Sequence, residues 1–415
     1  MRNIRVVLCR RMLCQVMLCR IVLCLAACFV CASLSGCGGS SSSGAGNNLI
    51  TTTGSNVAPI SVNGGPQGNY ADAAFISVTV CVPGTSTCQT VDNVLVDTGS
   101  YGLRILSSAL TVSLPQQKSA DGNPVAECLT FLGSYTWGPV QTADVQLGSE
   151  TASSVPLQVL SDTDFPVPEG CTSSGDPSAD TLDTLGANGI LGVGLFAQDC
   201  GSPCLASYNQ YFECPSSGCV NIPGSGEPLD QQVVNPVALF AKDNNGVIVE
   251  LPSVPSGGEA SVSGSLVFGI GTESNNGLGS AKVYSVPEAA FTTTFNNQTY
   301  PESFIDSGSN ALFFPNTTGI TECGSEASGF YCPAAPVSLS ATNEASGVSG
   351  AVDFTIADAD SIFNADDFAG DLGGVPIGSP TNYFDWGLPF FFGRNVFVAI
   401  DGASTSGGTG PYWAY

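Results

Sequence analysis

The chain reads as a mostly-β protein built from two similar lobes facing a shared cleft. Short apolar runs are broken throughout by Gly, Pro, Ser and Asn, and almost no long amphipathic helix is present. With 50 Gly and 26 Pro, a β architecture is the natural outcome. A second observation supplies the two lobes. Val94-Leu95-Val96-Asp97-Thr98-Gly99-Ser100 and Ser303-Phe304-Ile305-Asp306-Ser307-Gly308-Ser309 repeat one pattern 209 residues apart. Each is an apolar strand ending in aspartate, then hydroxyl, glycine, hydroxyl. One copy would be an ordinary strand end in a tight turn. Two copies suggest that each lobe offers one carboxylate to the cleft.

From the N-terminus, residues 1–36 read as an export signal peptide. Arg2, Arg5, Arg10, Arg11 and Arg20 precede an apolar stretch from Ile21 to Ser33. Leu34-Ser35-Gly36-Cys37 resembles a bacterial lipobox, which implies cleavage before Cys37 and its lipidation. An uncleaved membrane anchor is the alternative, although the apolar run is short for one. Either way the chain leaves the cytoplasm, with a lipid anchor in the bacterial cell envelope, at the outer membrane and periplasmic or surface-facing, as the expectation. Residues 37–68, rich in Gly, Ser, Thr and Asn, read as a tether. The folded part divides into an N-terminal lobe, 69–270, and a C-terminal lobe, 271–415. Phe75 to Val80 and Asp144 to Leu147 alternate as strands do.

Charge and composition narrow the function. Beyond the leader only Arg104, Lys118, Lys242, Lys282 and Arg394 oppose 35 Asp and Glu, a balance of 5 − 35 = −30. Such a surface repels nucleic acid. Histidine is absent, which excludes a Ser-His-Asp triad, a Cys-His dyad and His-Glu-x-x-His zinc chemistry. Acid-base work then falls to carboxylates, Tyr, Lys or Cys, and a carboxylate pair is the device best suited to activating water.

Ten cysteines follow Cys37, an even number that reads as a disulfide set in an exported chain. Cys81–Cys88 and Cys323–Cys332 are close enough to pin hairpins, and Cys128–Cys171 would form a longer link. Cys200, Cys204, Cys214 and Cys219 pair within one inserted segment, Asp199 to Pro228, with Cys200–Cys204 and Cys214–Cys219 as candidates. Sequence leaves that connectivity open, with a metal cluster as the less favoured reading. The acidic loops around Asp176, Asp180 and Asp183 and from Asp353 to Asp367 fit no calcium-loop spacing and read as solvated. No metal and no cofactor are expected.

Several segments together resemble the pepsin-like aspartic proteases. Asn188-Gly189-Ile190-Leu191-Gly192-Val193-Gly194 is similar to the family's first-lobe segment beneath the first aspartate, and Leu388 to Asn395 stands at the matching place in the second lobe. Gly264 to Gly271 resembles the crossing between lobes, and Asn235 to Phe240 a short helical region before it. The resemblance covers roughly residues 69 to 415, in order, and implies a bilobal acid-protease fold. It also implies Asp97 and Asp306 as catalytic residues of an aspartic endopeptidase. Glycine at 99 and 308 lets the two loops approach closely. Thr98 and Ser307 would hydrogen-bond across the lobe interface, and Ser100 and Ser309 would each donate to a carboxylate.

The flap departs from the family. Aligning Gly133-Ser134 with the family's flap glycine-serine puts Phe131 at the usual tyrosine position, with Tyr135 at the tip and Trp137 beyond. Alternatively these aromatics simply cover the sheet. Arg104 stands where the family usually has tryptophan. The resemblance implies a monomer acting on peptide or unfolded protein. The alternative is an inactive cleft protein that binds peptide or polysaccharide.

Overall fold

The computed structural model describes residues 50–415 apart from 163, 173–174, 207–208, 223–225, 326 and 379–380. The leader, Cys37 and the start of the tether lie outside the described residues. No helix among the described residues is long and apolar enough to cross a membrane.

The architecture is mostly β, with a 15-stranded sheet, a seven-stranded sheet and a two-stranded ribbon. The same local topology occurs twice. In the first lobe, strand Cys88–Asp97 runs parallel to Gly189–Val193, which runs antiparallel to Tyr101–Leu106. The Gly189–Val193 strand therefore lies between the two strands that flank the Asp97 turn. In the second lobe Gln298–Ile305 runs parallel to Asp385–Trp386, which runs antiparallel to Leu312–Phe313. Each motif is extended alike: Tyr101–Leu106 runs parallel to Glu150–Leu160, and Leu312–Phe313 parallel to Gly373–Gly374. The duplicated aspartate pattern is thus a duplicated strand arrangement. It makes the molecule bilobal.

A spine of strands joins the lobes. Val57–Val62, Val262–Phe268, Gly246–Leu251, Arg394–Ala399, Tyr412–Ala414 and Val283–Ser285 are successive neighbours in the large sheet. This corrects the tether, which was expected to run to residue 68. Val57–Val62 is a strand, with Ala58, Ile60 and Val62 buried and the alternate residues turned outward, the period of a half-buried strand. Its partner Val262–Phe268 lies about 200 residues away, with Val62 opposite Val262.

Among the described residues five disulfides join Cys81–Cys88, Cys128–Cys171, Cys200–Cys204, Cys214–Cys219 and Cys323–Cys332. The cysteine-rich insertion is more than a stapled surface loop. Its Tyr211–Glu213 strand pairs with Val125–Glu127, and Cys200 and Cys204 are buried. The second lobe is packed by aromatics: Phe384 stacks on Trp386 at 4.2 Å and on Phe314 at 5.0 Å, and the Trp386 indole N–H donates to Thr293 Oγ1 at 3.2 Å. This packing fixes the strand behind the second aspartate.

Candidate active site

Each aspartate stands at the end of a strand and is held by the turn that follows. Asp97 Oδ1 accepts from the backbone N–H of Gly99 at 2.7 Å and of Ser100 at 3.1 Å, and the Ser100 hydroxyl donates to Oδ2 at 2.5 Å. Asp306 repeats the scheme, with Gly308 N–H on Oδ1 at 2.7 Å and the Ser309 hydroxyl on Oδ2 at 2.8 Å.

The two turns are tied to each other by a reciprocal exchange. Thr98 N–H donates to Ser307 Oγ at 3.1 Å, and Ser307 N–H donates to Thr98 Oγ1 at 2.9 Å. Each hydroxyl then donates onward into the opposite lobe, Ser307 Oγ to Val96 O at 2.8 Å and Thr98 Oγ1 to Ile305 O at 3.4 Å. Four bonds that cross the cleft floor leave the turns little freedom to separate.

Glycine is the only residue that fits between them. A β-carbon built on Gly99 would lie 2.5 Å from Asp306 Cγ, and one on Gly308 would lie 2.7 Å from Asp97 Oδ1. That same point at Gly308 is 3.1 Å from Asp306 Oδ1, which holds the two carboxylate oxygens within about 6 Å of each other, near enough to share a proton or a water.

Both carboxyl groups are fully buried, and this governs their charge. Burial, then the neighbouring Asp306, raises the proton affinity of Asp97 well above the ordinary carboxylate range, against the hydrogen bonds from Ser100 and Gly99. Burial likewise raises Asp306 to about 6, against hydrogen bonds from Asp97, Ser309 and Gly308. The pair therefore holds one proton readily and two negative charges reluctantly. The proton belongs to the pair.

The hairpin Val125–Phe131 with Ser134–Leu147 packs against the strand that carries Asp97, and here the expected flap is corrected. Ser134 pairs with Phe131 and Tyr135 with Thr130, so the turn is Leu132-Gly133 and Tyr135 is not at the tip. A shift of one residue changes faces. Phe131 packs inward with Leu95, Ile190 and Phe75, beside the strand that carries Asp97. Tyr135 and Trp137 pack on the other face with Cys128, Cys171 and Phe212. Gly133, at φ +86°, comes close to Ile377 of the second lobe: a β-carbon there would be 3.3 Å from Ile377 Cδ1.

Arg104 and Asp385 take places that the sequence reading did not assign to them. Arg104, expected to influence the flap, is fully buried, and its Nη2 contacts Asp199 Oδ2 at 2.7 Å and Glu127 Oε1 at 3.1 Å. Its Nη1 donates to Tyr101 O at 2.7 Å. It ties the strand after Asp97 to the base of the hairpin and to the insertion. Asp385, in an otherwise aromatic run, is fully buried beside the second aspartate. Only the lone acid in Tyr383-Phe384-Asp385-Trp386 hinted at it.

These carboxyl groups make stability depend on pH. Burial raises Asp72, Asp97, Asp199 and Asp385 well above their ordinary range, Asp306 and Asp371 to about 6 and Glu227 to about 7. A carboxyl raised on folding contributes stability that is complete below its unfolded value and is lost as pH climbs through its folded value. Melting followed by circular dichroism should therefore give a midpoint about 10 °C or more lower at pH 8 than at pH 4. A midpoint that rises with pH would contradict the burial of these groups.

The family described as "Protein of unknown function (DUF3443)" has a model that matches residues 52–415, and the chain belongs to that family. No curated protein matches it. Among solved structures it is similar to the crystal structure of aspartic proteinase from Irpex lacteus, at 15% sequence identity and a TM-score of 0.42, over 86% of this chain and 96% of that one.

Proposed function

We propose that this chain is an aspartic endopeptidase in which Asp97 and Asp306 activate water against a peptide bond. The observation that carries the reading is the reciprocal Thr98–Ser307 clasp, which sets two buried carboxyl groups from duplicated turns side by side. With one proton on the pair, the ionised member takes a proton from a water held between them. The oxygen attacks the carbonyl carbon while the protonated member gives its proton to the carbonyl oxygen. The resulting diol then collapses: the C–N bond breaks, the amine nitrogen takes a proton from the carboxyl that gained one, and the other carboxyl recovers its own. The step calls on no histidine, which the sequence lacks, and a carboxyl pair sharing a proton is the device best suited to activating water among those the composition leaves.

Both carboxyl groups are fully buried, and the Leu132-Gly133 turn lies close to Ile377 of the second lobe, so this reading takes lifting of that turn as the step that admits substrate. Unfolded protein fits such a cleft, since an extended segment can lie along it. The export leader and the lipobox-like Cys37 support a location in the cell envelope on a lipid anchor, and the reading takes the chain to act there as a monomer. That seated hairpin favours one competing reading, an inactive cleft protein for peptide or polysaccharide.

Incubating the purified protein with a reduced, unfolded protein between about pH 3 and pH 7, with and without a hydroxyethylene peptide that mimics the diol, separates the two. Cleavage that is strongest at acidic pH and blocked by the mimic supports the enzyme. Absence of cleavage at every pH supports the binder.

A further inference from the structure

The second lobe contains a carboxyl group with no counterpart in the first. In the first motif Asp97 lies opposite Gly192 and Leu95 opposite Ile190. In the second, Phe304 lies opposite Asp385 and Ile305 opposite Trp386. Asp385 thus occupies the place that the duplication assigns to Ile190. Both of its ladder partners, Phe304 and Phe313, are apolar, and it is fully buried.

Neither Asp385 oxygen has a hydrogen-bond partner of good geometry. An anion with both oxygens unsatisfied in an apolar setting is strongly disfavoured, so the neutral acid is the form that fits. Burial and, behind it, Asp306 raise its proton affinity well above the ordinary range, against the nearby Ser309 hydroxyl, which acts in the opposite direction, with Asp97 adding a smaller push upward. The two aspartates face it from the motif turns. The Leu312–Phe313 strand brings no titratable group, and on its own segment the Tyr383 phenol is committed to Ile377 O at 2.7 Å.

A neutral acid has one O–H to give, and Ser309 is the side chain whose hydroxyl reaches it. That hydroxyl already spends its hydrogen on Asp306 Oδ2 at 2.8 Å, which leaves its oxygen free to accept. We propose that Asp385 is a positioning residue whose carboxyl O–H donates to Ser309 Oγ and so fixes the Ser309 hydrogen on Asp306. The chain Asp385 to Ser309 to Asp306 favours the ionised form of Asp306, whereas in the first lobe, where Ser100 donates to Asp97, the place corresponding to Asp385 is taken by Ile190, opposite Leu95. The two halves of the pair are thereby made unequal. This inference rests on the reading of Asp97 and Asp306 as the hydrolytic pair.

The test compares Asp385→Asn, Asp385→Leu and Ser309→Ala with the wild type. The Asp306 carboxyl is titrated by carbon NMR, and the acidic limb of peptide cleavage is followed in parallel. The asparagine amide can donate to Ser309 as the acid does, so its Asp306 titration should stay near wild type. Leucine cannot, and Asp306 should then titrate about one unit higher, a tenfold change, as it should in Ser309→Ala. The acidic limb should move upward with it, through kcat and not KM. If leucine and asparagine behave alike, whether shifted or not, the donated hydrogen bond is overturned. Should Asp385→Leu fail to fold, Asp385→Ile, which restores the first-lobe residue, takes its place, and Asp385→Asn against Ser309→Ala decides by the same titration. Should the wild type cleave nothing, the function fails while the NMR titration still judges this proposal.

Discussion

Asp97→Asn and Asp306→Asn each lower peptide cleavage at acidic pH by about a thousandfold or more, with the fold intact. The size of the loss follows from the division of labour. One carboxyl must accept a proton from water while its neighbour, in the same event, supplies one to the carbonyl oxygen, so neither can substitute for the other. Asparagine keeps the volume and, with its oxygen in the place of Oδ1, still accepts the backbone N–H of Gly99 and Ser100, or of Gly308, while its amide group donates to the serine hydroxyl that formerly donated to Oδ2. It also removes one of two buried carboxyl groups that repel each other when ionised. Melting midpoints at or above wild type, measured alongside turnover, would thus separate lost chemistry from lost structure. Wild-type turnover in either variant would end the proposal. In the wild type, activity should fall once pH rises far enough for the pair to lose its last proton, the one that burial and Asp306 hold on Asp97 well above the ordinary carboxylate range, since no acid then remains to serve the carbonyl.

What the sequence revealed was whatever is encoded within a few residues. The Asp-hydroxyl-Gly-hydroxyl turns are local, because glycine and the serine hydroxyl act on the aspartate two or three positions back. The disulfides close short loops for the most part, which is why adjacent pairing identified them. Other features depend on partners far along the chain. Val57–Val62 is a strand only because Val262–Phe268 and Ala74–Cys81 are there to receive it, and Pro59 and the Gly-rich flank concealed it. Tyr135 was misplaced by the two-residue turn at Leu132-Gly133: the register settles which face an aromatic takes, and sequence did not settle the register. Arg104 looked like a departure from a family position. Its meaning lies in Glu127 and Asp199, 23 and 95 residues away.

That buried cluster carries the remaining large prediction: Arg104→Ala should cost roughly 3–5 kcal/mol at neutral pH, a fall in melting midpoint of about 10 °C. One guanidinium here faces two carboxyl groups. Glu127 also accepts from Gln210 at 2.9 Å and Asp199 from the Tyr211 hydroxyl at 2.7 Å, so both are fixed where they stand. Removing the cation leaves two buried acids without their neutralising partner, and neither can turn to solvent. Arg104→Lys should recover little, because one ammonium cannot reproduce a fork that meets Glu127, Asp199 and Tyr101 O together. The loss should shrink towards acidic pH. Burial and Glu127 already raise Asp199 well above its ordinary range, so it takes up a proton as pH falls and the uncompensated charge goes with it. Because Arg104 lies on the strand that leaves the Asp97 turn, cleavage should weaken as well, with the deficit larger at pH 6 than at pH 4. Melting and turnover measured at both pH values decide the matter: a midpoint within about 2 °C of wild type at neutral pH would mean that the cluster contributes far less than its burial implies.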